Sequence, residues 1–363
     1  MKKKVVVGMS GGVDSSVTAL LLKEQGYDVI GVTMQIWSPK NPLETSLDSG
    51  CCSLLAVDDA RRVADTIGIP YYVMNFRDMF KEKVIENFVN EYSCGRTPNP
   101  CIMCNRYIKW EGLFGKARVL GADYLATGHY GKIVQIGERL SIHKALSATK
   151  DQSYVLYPLT QEQLSHTLFP LSDMEKPDVR AIAMKAGLPV AAKKDSEDIC
   201  FVPDHDYAGF ICKETGITMK SGNFVDSFGN ILGKHRGIMN YTVGQRKGLG
   251  ISFDKPRYVI SINADSNEVV LGEEKDTYSK SIIVSDACFM GISNLDGQIS
   301  CCCKVRYSQK ESPCIVSNLG GGKILASFER EVRSPAPGQS AVFYMDGYIL
   351  FGGIIERCDA IEE

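Results

Sequence analysis

Two stretches of this chain gather the residue types that chemistry needs. The first is GMSGGVDSS, residues 8–16. Gly11 and Gly12 let a backbone approach an anion closely. Ser10, Ser15 and Ser16 bring hydroxyls, and the helix expected to follow brings N–H groups and a partial positive charge. Asp14 would repel phosphate unless it helps to hold a magnesium ion or orients the loop. The string lacks the Lys-Ser/Thr ending of a Walker A loop and the G-x-G-x-x-G of a dinucleotide fold. The second stretch is RTPNPCIMCN, residues 96–105, where Cys101 and Cys104 form a C-x-x-C pair behind a proline-fixed turn. Such a pair holds a metal, runs a disulfide or fills a core. A distant thiol, Cys200, stands in DSEDICF behind Lys193 and Lys194, which would lower its pKa if they faced it.

These residues need elements to position them. Val5–Val7 read as a buried strand, VTALLLKEQGY as a buried helix ended by Gly26, and DVIGVTMQIW as a second strand. LLAVDDARRVADTIGIP is helical, YYVMNF a strand, and DMFKEKVIENFVNEY a helix with Phe80, Val84, Phe88 and Tyr92 four apart. The cysteine loop, a helix to about Leu120 and the strand DYLATGHY follow. Strands alternating with helices predict an α/β fold with a doubly wound parallel sheet. Its ligands sit beyond the carboxyl ends of the strands, where the glycine loop, Met34 and the TGH turn belong. After about residue 205 short β-prone runs and glycines take over. The expectation is a catalytic domain over 1–205, a central β-rich domain over 206–275 and a C-terminal β-barrel over 276–363.

Composition narrows the class. With 44% hydrophobic and 23% charged residues the chain reads as an ordinary soluble globular protein. A net charge of −2 gives no global cationic field, so a nucleic acid would be held by local basic patches. No apolar run reaches the roughly 18 residues that span a bilayer. The basic start MKKK precedes too short an apolar stretch for a signal peptide. The expectation is therefore an intracellular, cytoplasmic protein without a membrane partner. Most of its 13 cysteines should be thiols filling cores, CCC at 301–303 among them. Cys94, at a helix end, reads as structural, and Cys51 and Cys52 suggest no role.

SGGVDSS resembles the PP-loop of ATP pyrophosphatases, which have the adenine nucleotide alpha hydrolase-like fold. GRTPNPCIMCN, ATGHY, KDQSYVLY, DSEDICF, YTVGQRKGLGI, VRYSQ and PGQSAVFY resemble, in order and spacing, the tRNA-specific 2-thiouridylase family (MnmA/TrmU). The likeness runs from about residue 5 to about residue 356. It implies an enzyme, a tRNA-uridine 2-sulfurtransferase, whose cofactors are ATP and magnesium. The C2 oxygen of the wobble uridine of tRNA would attack the α-phosphate, pyrophosphate would leave, and sulfur would displace AMP. A cysteine desulfurase or sulfur relay protein would supply the sulfur.

The resemblance also implies site residues. Gly8, Met9, Ser10, Gly11, Gly12, Val13, Asp14, Ser15, Met34 and Gly128 would line the ATP site. Asn99, Pro100 and Cys101 match the loop that meets the target base. His129, Lys150, Asp151, Gln152, Arg306, Tyr307 and Gln339 match tRNA contacts. Cys104 and Cys200 match the catalytic cysteines, with Cys200 carrying a persulfide and Cys104 releasing its sulfur through a disulfide. Many members carry Asp where this chain has Cys101, which leaves the role of that position open. Three thiols with no obvious fourth ligand, Cys101, Cys104 and Cys200, also suit a 4Fe–4S cluster with one open iron. Two other functions fit a PP-loop chain: an amide-forming ligase, which has no need of Cys104 and Cys200, and a tRNA-binding or Fe–S carrier protein without catalysis.

Overall fold

Val5, Val6 and Val7 are wholly buried, as a strand covered on both faces requires. They form the centre of β1 (Lys4–Gly8). A computed structural model of the protein describes residues 2–36, 54–195, 199–202 and 206–358. After β1 come α1 (Val13–Glu24), β2 (Asp28–Gln35), α2 (Leu54–Ile67) and β3 (Tyr71–Asn75). Helix α3 (Arg77–Phe80) runs through a π-helical turn, Lys81–Ile85, into α4 (Glu86–Ser93). Helix α5 (Pro100–Met103) leads into a longer π-helical stretch, Cys104–Leu113, and then α6 (Phe114–Val119). Strand β4 (Tyr124–Ala126), the hairpin β5 (Lys132–Ile136) and β6 (Arg139–His143), α7 (Gln161–Ser165), β7 (Thr167–Leu168) and α8 (Lys176–Lys185) follow.

Strands β3-β2-β1-β4-β7 make one sheet in that order, and every neighbouring pair is parallel. The chain winds outward from β1 in one direction and returns to β1's other side with β4. The point where the winding reverses is the β1–β4 boundary, where a doubly wound sheet opens a crevice for ligands. Helix α1 closes one face: Val13, Val17, Ala19 and Leu22 join Val5, Val7, Val63 and Ala126 in one core.

Contacts divide the chain into two compact units. The first holds Met1–Ile85, Cys101–His205 and Gly347–Ile349; the second holds Glu86–Pro100, Asp206–Asp346 and Leu350–Glu363. The segment 86–100, assigned to the catalytic domain by sequence, thus packs with the second unit. The reason is aromatic: Phe88 and Tyr92 of α4 meet Tyr207 and Phe210 of α9 (Tyr207–Thr215).

The second unit carries a four-stranded sheet, built from β8 (Gly222–Val225), β9 (Ile231–His235), β10 (Tyr258–Asn263) and β11 (Glu268–Gly272). Phe224, Tyr241, Leu249, Val259, Val269 and Leu271 form its core. Next come β12 (Tyr278–Phe289), β13 (Gln298–Lys304), β14 (Ser312–Gly320), β15 (Lys323–Arg333), β16 (Ser340–Met345) and β17 (Tyr348–Arg357). The order β12-β15-β14-β13-β16-β17 closes through β12–β17 pairing into a six-stranded barrel, which leaves no open edge. The sequence predicts the strands around 301–303 and 340–356; it did not signal the β5–β6 hairpin.

Candidate active site

The glycine loop lies where the sheet reverses. Helix α1 begins at Val13, four residues earlier than the apolar run suggested, so Asp14, Ser15 and Ser16 sit in its first turn. Gly11 has φ +69°, in the left-handed region that favours glycine, and its α-carbon packs on the backbone of Ala56. Across β1, the turn after β4 brings Gly128 onto the same helix start. A Cβ there would stand 2.7 Å from Ser15 N and 2.9 Å from Asp14 Cβ. The Ser10 N–H donates to Ser15 Oγ at 3.2 Å, and Ser16 Oγ donates to the Gly12 carbonyl at 2.8 Å. Gly12 is the N-cap and brings no side chain to the first N–H groups of α1, which leaves them to an anion. Met9 and Val13 bury their side chains in the core, so only their backbones are available to a nucleotide. Met34 is half-buried at the end of β2, beside Met74.

Asp14 does not stand open to a phosphate. Lys176 Nζ lies 2.7 Å from both its carboxylate oxygens, and the Tyr130 hydroxyl donates to Oδ1 at 2.8 Å. Lys176 is almost fully buried and reaches Asp195 at 2.8 Å as well. Asp195 also takes Lys150 at 2.8 Å and Arg180 at 3.0 Å. Burial works against the Asp195 carboxylate, but hydrogen bonds from Lys150 and Lys176 outweigh it and hold its pKa below the usual range. Tyr130 is pushed up, by burial first and then by Asp14. Both Asp14 oxygens are therefore occupied by an ammonium, and this carboxylate offers no ready magnesium site in this arrangement. These bonds tie the first turn of α1 to Lys176 at the start of α8 and to Tyr130.

Lys193, seven residues before Cys200 in the chain, turns to the loop: its Nζ donates to the Gly11 carbonyl at 3.0 Å and pairs with Asp59 at 2.8 Å. The Gly11 carbonyl and the Asp59 carboxylate draw it to the loop.

The expected catalytic thiols share the first unit. Cys104 opens the π-helical stretch and is half-buried; Cys101, one turn earlier, is exposed; Cys200 is half-buried in a turn closed by Val202 N–H to the Ile199 carbonyl at 3.0 Å. Phe201 stands edge-on to the buried Phe80 with centroids 5.5 Å apart. Helix α3, which carries Phe80, also packs on the stretch that begins at Cys104. Asn105, wholly enclosed, fixes that stretch by donating to the Val155 carbonyl at 2.8 Å. Among the described residues no group of three or more His, Cys, Asp or Glu side chains is gathered for a metal. Cys101, Cys104 and Cys200 are not gathered into such a group in this structure; the first is exposed and the other two are half-buried. Cys51 and Cys52 lie outside the described residues.

Several residues expected to contact tRNA hold hydrogen bonds within the protein. His129 is buried between Thr127 Oγ1, 2.7 Å from Nδ1, and Lys109 Nζ, 3.3 Å from Nε2. An ammonium only donates, so Nε2 accepts and Nδ1 carries the proton. Burial, then the Lys109 charge, pushes this histidine far below its ordinary value. Asp151 is buried and accepts from the Ala145 and Ser153 N–H groups and the Ser153 hydroxyl. Gln152 accepts from the Tyr130 N–H at 3.0 Å, and Lys150 is committed to Asp195. In the second unit Arg306 donates to the Ser334 and Val243 carbonyls, and Gln339 to those of Thr97 and Pro98, fixing the turn before Asn99 and the buried Pro100. Tyr307 keeps 42% of its surface exposed, with the Lys304 ammonium 5.9 Å from its ring centre.

The sequence matches the family descriptions "tRNA methyl transferase HUP domain" over residues 3–204, "tRNA methyl transferase PRC-barrel domain" over 209–273 and "Aminomethyltransferase beta-barrel domain" over 279–355. It is 52% identical to a tRNA-specific 2-thiouridylase MnmA of Clostridium perfringens over 98% of this chain and 99% of that protein. The chain belongs to the MnmA family. MnmA proteins of Clostridioides difficile and Acetivibrio thermocellus are 52% and 53% identical to it, each over 98% of this chain and 99% of their own.

Within this MnmA-family site, sequence reasoning missed Lys176, Asp195 and Tyr130. One signal was present: Lys176 is the first residue of α8, where the helix dipole disfavours a cation. A lysine at that end needs an acid from elsewhere in the fold. Among the described residues no helix is long and apolar enough to cross a membrane.

Proposed function

We propose that the protein uses ATP to replace the C2 oxygen of the wobble uridine of tRNA with sulfur. The observation that carries this reading is an intact phosphate loop in the same compact unit as the Cys104 and Cys200 thiols. The carbonyl oxygen of a pyrimidine is a poor leaving group. Its attack on the α-phosphorus of ATP expels pyrophosphate and turns it into the oxygen of AMP. The N–H groups opening α1, with the Ser10 hydroxyl, receive the phosphates; magnesium accompanies the triphosphate. Gly128 lets this nucleotide site close against the helix start.

Sulfur arrives as a persulfide on Cys200, from a cysteine desulfurase or relay protein. Its terminal sulfur attacks C2 and AMP leaves. The Cys104 thiolate then attacks the Cys200 sulfur, which forms a Cys104–Cys200 disulfide and frees 2-thiouridine; an external thiol reduces the disulfide. A soft, ionisable sulfur is the side chain suited to both steps. No step runs through an iron–sulfur cluster. In tRNA binding, exposed Tyr307 supplies a stacking face, whereas His129, Asp151 and Gln339 act as positioning groups.

The reading is tested by pyrophosphate release. Release that depends on tRNA supports it; release with a small carboxylic acid supports the ligase, and tRNA binding without release supports a carrier. Cys200→Ser is expected to abolish thiolation while ATP binding is kept, and a normal thiouridine yield from that variant would refute the sulfur role.

A further inference from the structure

The barrel holds a second group of thiols that the reaction above does not use. In the β13–β14 ladder Cys301 stands directly opposite Cys314, Cys302 opposite Pro313 and Cys303 opposite Ser312. Alternation along β13 turns Cys301 and Cys303 to one side, where both are buried, and Cys302 to the other, where it is half-buried. The Cys301 and Cys314 sulfurs lie 3.8 Å apart.

The geometry points to Cys301 and Cys314 as a dithiol that an oxidant converts into a cross-strand disulfide. Directly opposed residues of an antiparallel pair have α-carbons about 4.5–5.5 Å apart, inside the range of about 4.4–6.8 Å that a disulfide spans. The sulfurs must close from 3.8 Å to about 2.0 Å, and each side chain turns about its own Cα–Cβ bond. Cys303 competes poorly, because its cross-strand partner is Ser312 and it reaches Cys314 only on the diagonal. Cys302 faces away.

Exposure sets the order of events. Cys301 retains 9% of its surface, against 2% for Cys314 and 1% for Cys303. A peroxide therefore meets Cys301 first: its sulfur is oxidised to the sulfenic acid and one water leaves. The Cys314 sulfur attacks that sulfenic sulfur, the S–S bond forms and the second water leaves with the remaining thiol hydrogen. The contact with Cys314, and then burial, pushes the Cys301 thiol up. Cys314 is raised too: its contact with Cys301 lowers it, but its contact with Cys303 and its burial outweigh that. The pair is protonated at neutral pH, so the bridge forms slowly there and faster in mild alkali. Once formed it closes the segment 302–313, which carries Arg306 and Tyr307.

The test uses the full-length reduced protein, treated with hydrogen peroxide at neutral and mildly alkaline pH, then unfolded and alkylated. Unreduced tryptic peptides are mapped by fragmentation. The expected product joins the peptide 281–304 to the peptide 311–323 through Cys301 and Cys314, with the loss of two hydrogens. It accumulates faster in alkali, reverses with dithiothreitol and survives Cys302→Ser. Recovery of Cys301 and Cys314 as alkylated thiols after the exposed cysteines have oxidised would overturn the proposal. So would a bridge from Cys302 or Cys303, or one unchanged by Cys314→Ser; if that variant fails to fold, the wild-type fragment map decides alone.

Discussion

The ends of the parallel strands in the first unit and the barrel interior of the second are built from opposite materials. Where strands end in the first, the interior is charged: Lys176 lies between Asp14 and Asp195, and His129 between Thr127 and Lys109. The barrel of the second is lined by Val316, Ala326, Phe343 and Phe351 and by the thiols of Cys301, Cys303 and Cys314. A charged interior costs desolvation and returns it only when every partner is in place. A thiol costs little, because it behaves as a small apolar group. The first arrangement therefore suits a site that must hold a helix start fixed for an anion, and the second suits a wall. The cysteines follow the same division: Cys104 and Cys200 are half-buried, whereas Cys301, Cys303 and Cys314 are buried in the barrel and shifted upward.

Substitutions can break this contrast. Lys176→Met removes one cation from two carboxylates and should have the largest effect. Loss of one partner from a fully buried pair costs about 3–5 kcal/mol. The Asp14 and Asp195 side chains keep 31% and 26% of their surface, so about 2–3 kcal/mol is expected once water screening is allowed for. Denaturant unfolding measures the loss, and ATP affinity should fall with it. A variant as stable as wild type would show that the cluster is a surface feature.

His129 sharpens the contrast through pH. Its folded-state pKa lies below the unfolded value, so the unfolded chain takes up a proton that the folded chain refuses. Its stabilising contribution is complete above the unfolded pKa of about 6.5 and falls as pH drops below that, by up to about 1.4 kcal/mol per pH unit. Melting curves across this range should show a smaller slope in His129→Gln than in wild type. Equal slopes would mean that the ring takes up a proton within the fold.

Cys303→Ala, in the barrel, should have the smallest effect. It removes one buried sulfur and should cost about 1 kcal/mol, with no change in slope near pH 6.5. A loss as large as that of Lys176→Met would show the thiols to be a structural network rather than filler.

Much of the fold was legible in the chain. Val5–Val7, the glycine loop and the four-residue spacing of Phe80, Val84, Phe88 and Tyr92 announce strand, phosphate loop and helix, because these signals are local. The site was legible in part. Gly11 and Gly128 were expected at the loop, and the structure gives each a steric reason. Met9 and Val13 were expected to line the ATP site and His129 and Asp151 to contact tRNA; what the sequence did not show is that all four side chains are buried. Whether Lys193 faced Cys200 was left open by the sequence; its ammonium donates to the Gly11 carbonyl. In each case the residue type suits both roles, and only its neighbours choose between them.

The sequence by itself determined the parallel sheet, the glycine loop at its first turn and the presence of thiols at Cys101, Cys104 and Cys200. Backbone periodicity and glycine conformation are decided within a few residues. Tertiary structure decided that Asp14 belongs to Lys176, 162 residues away, and that Cys301 faces Cys314 while Cys302 does not. Burial and charge pairing depend on which distant segments are brought together, and no short stretch of chain carries that information.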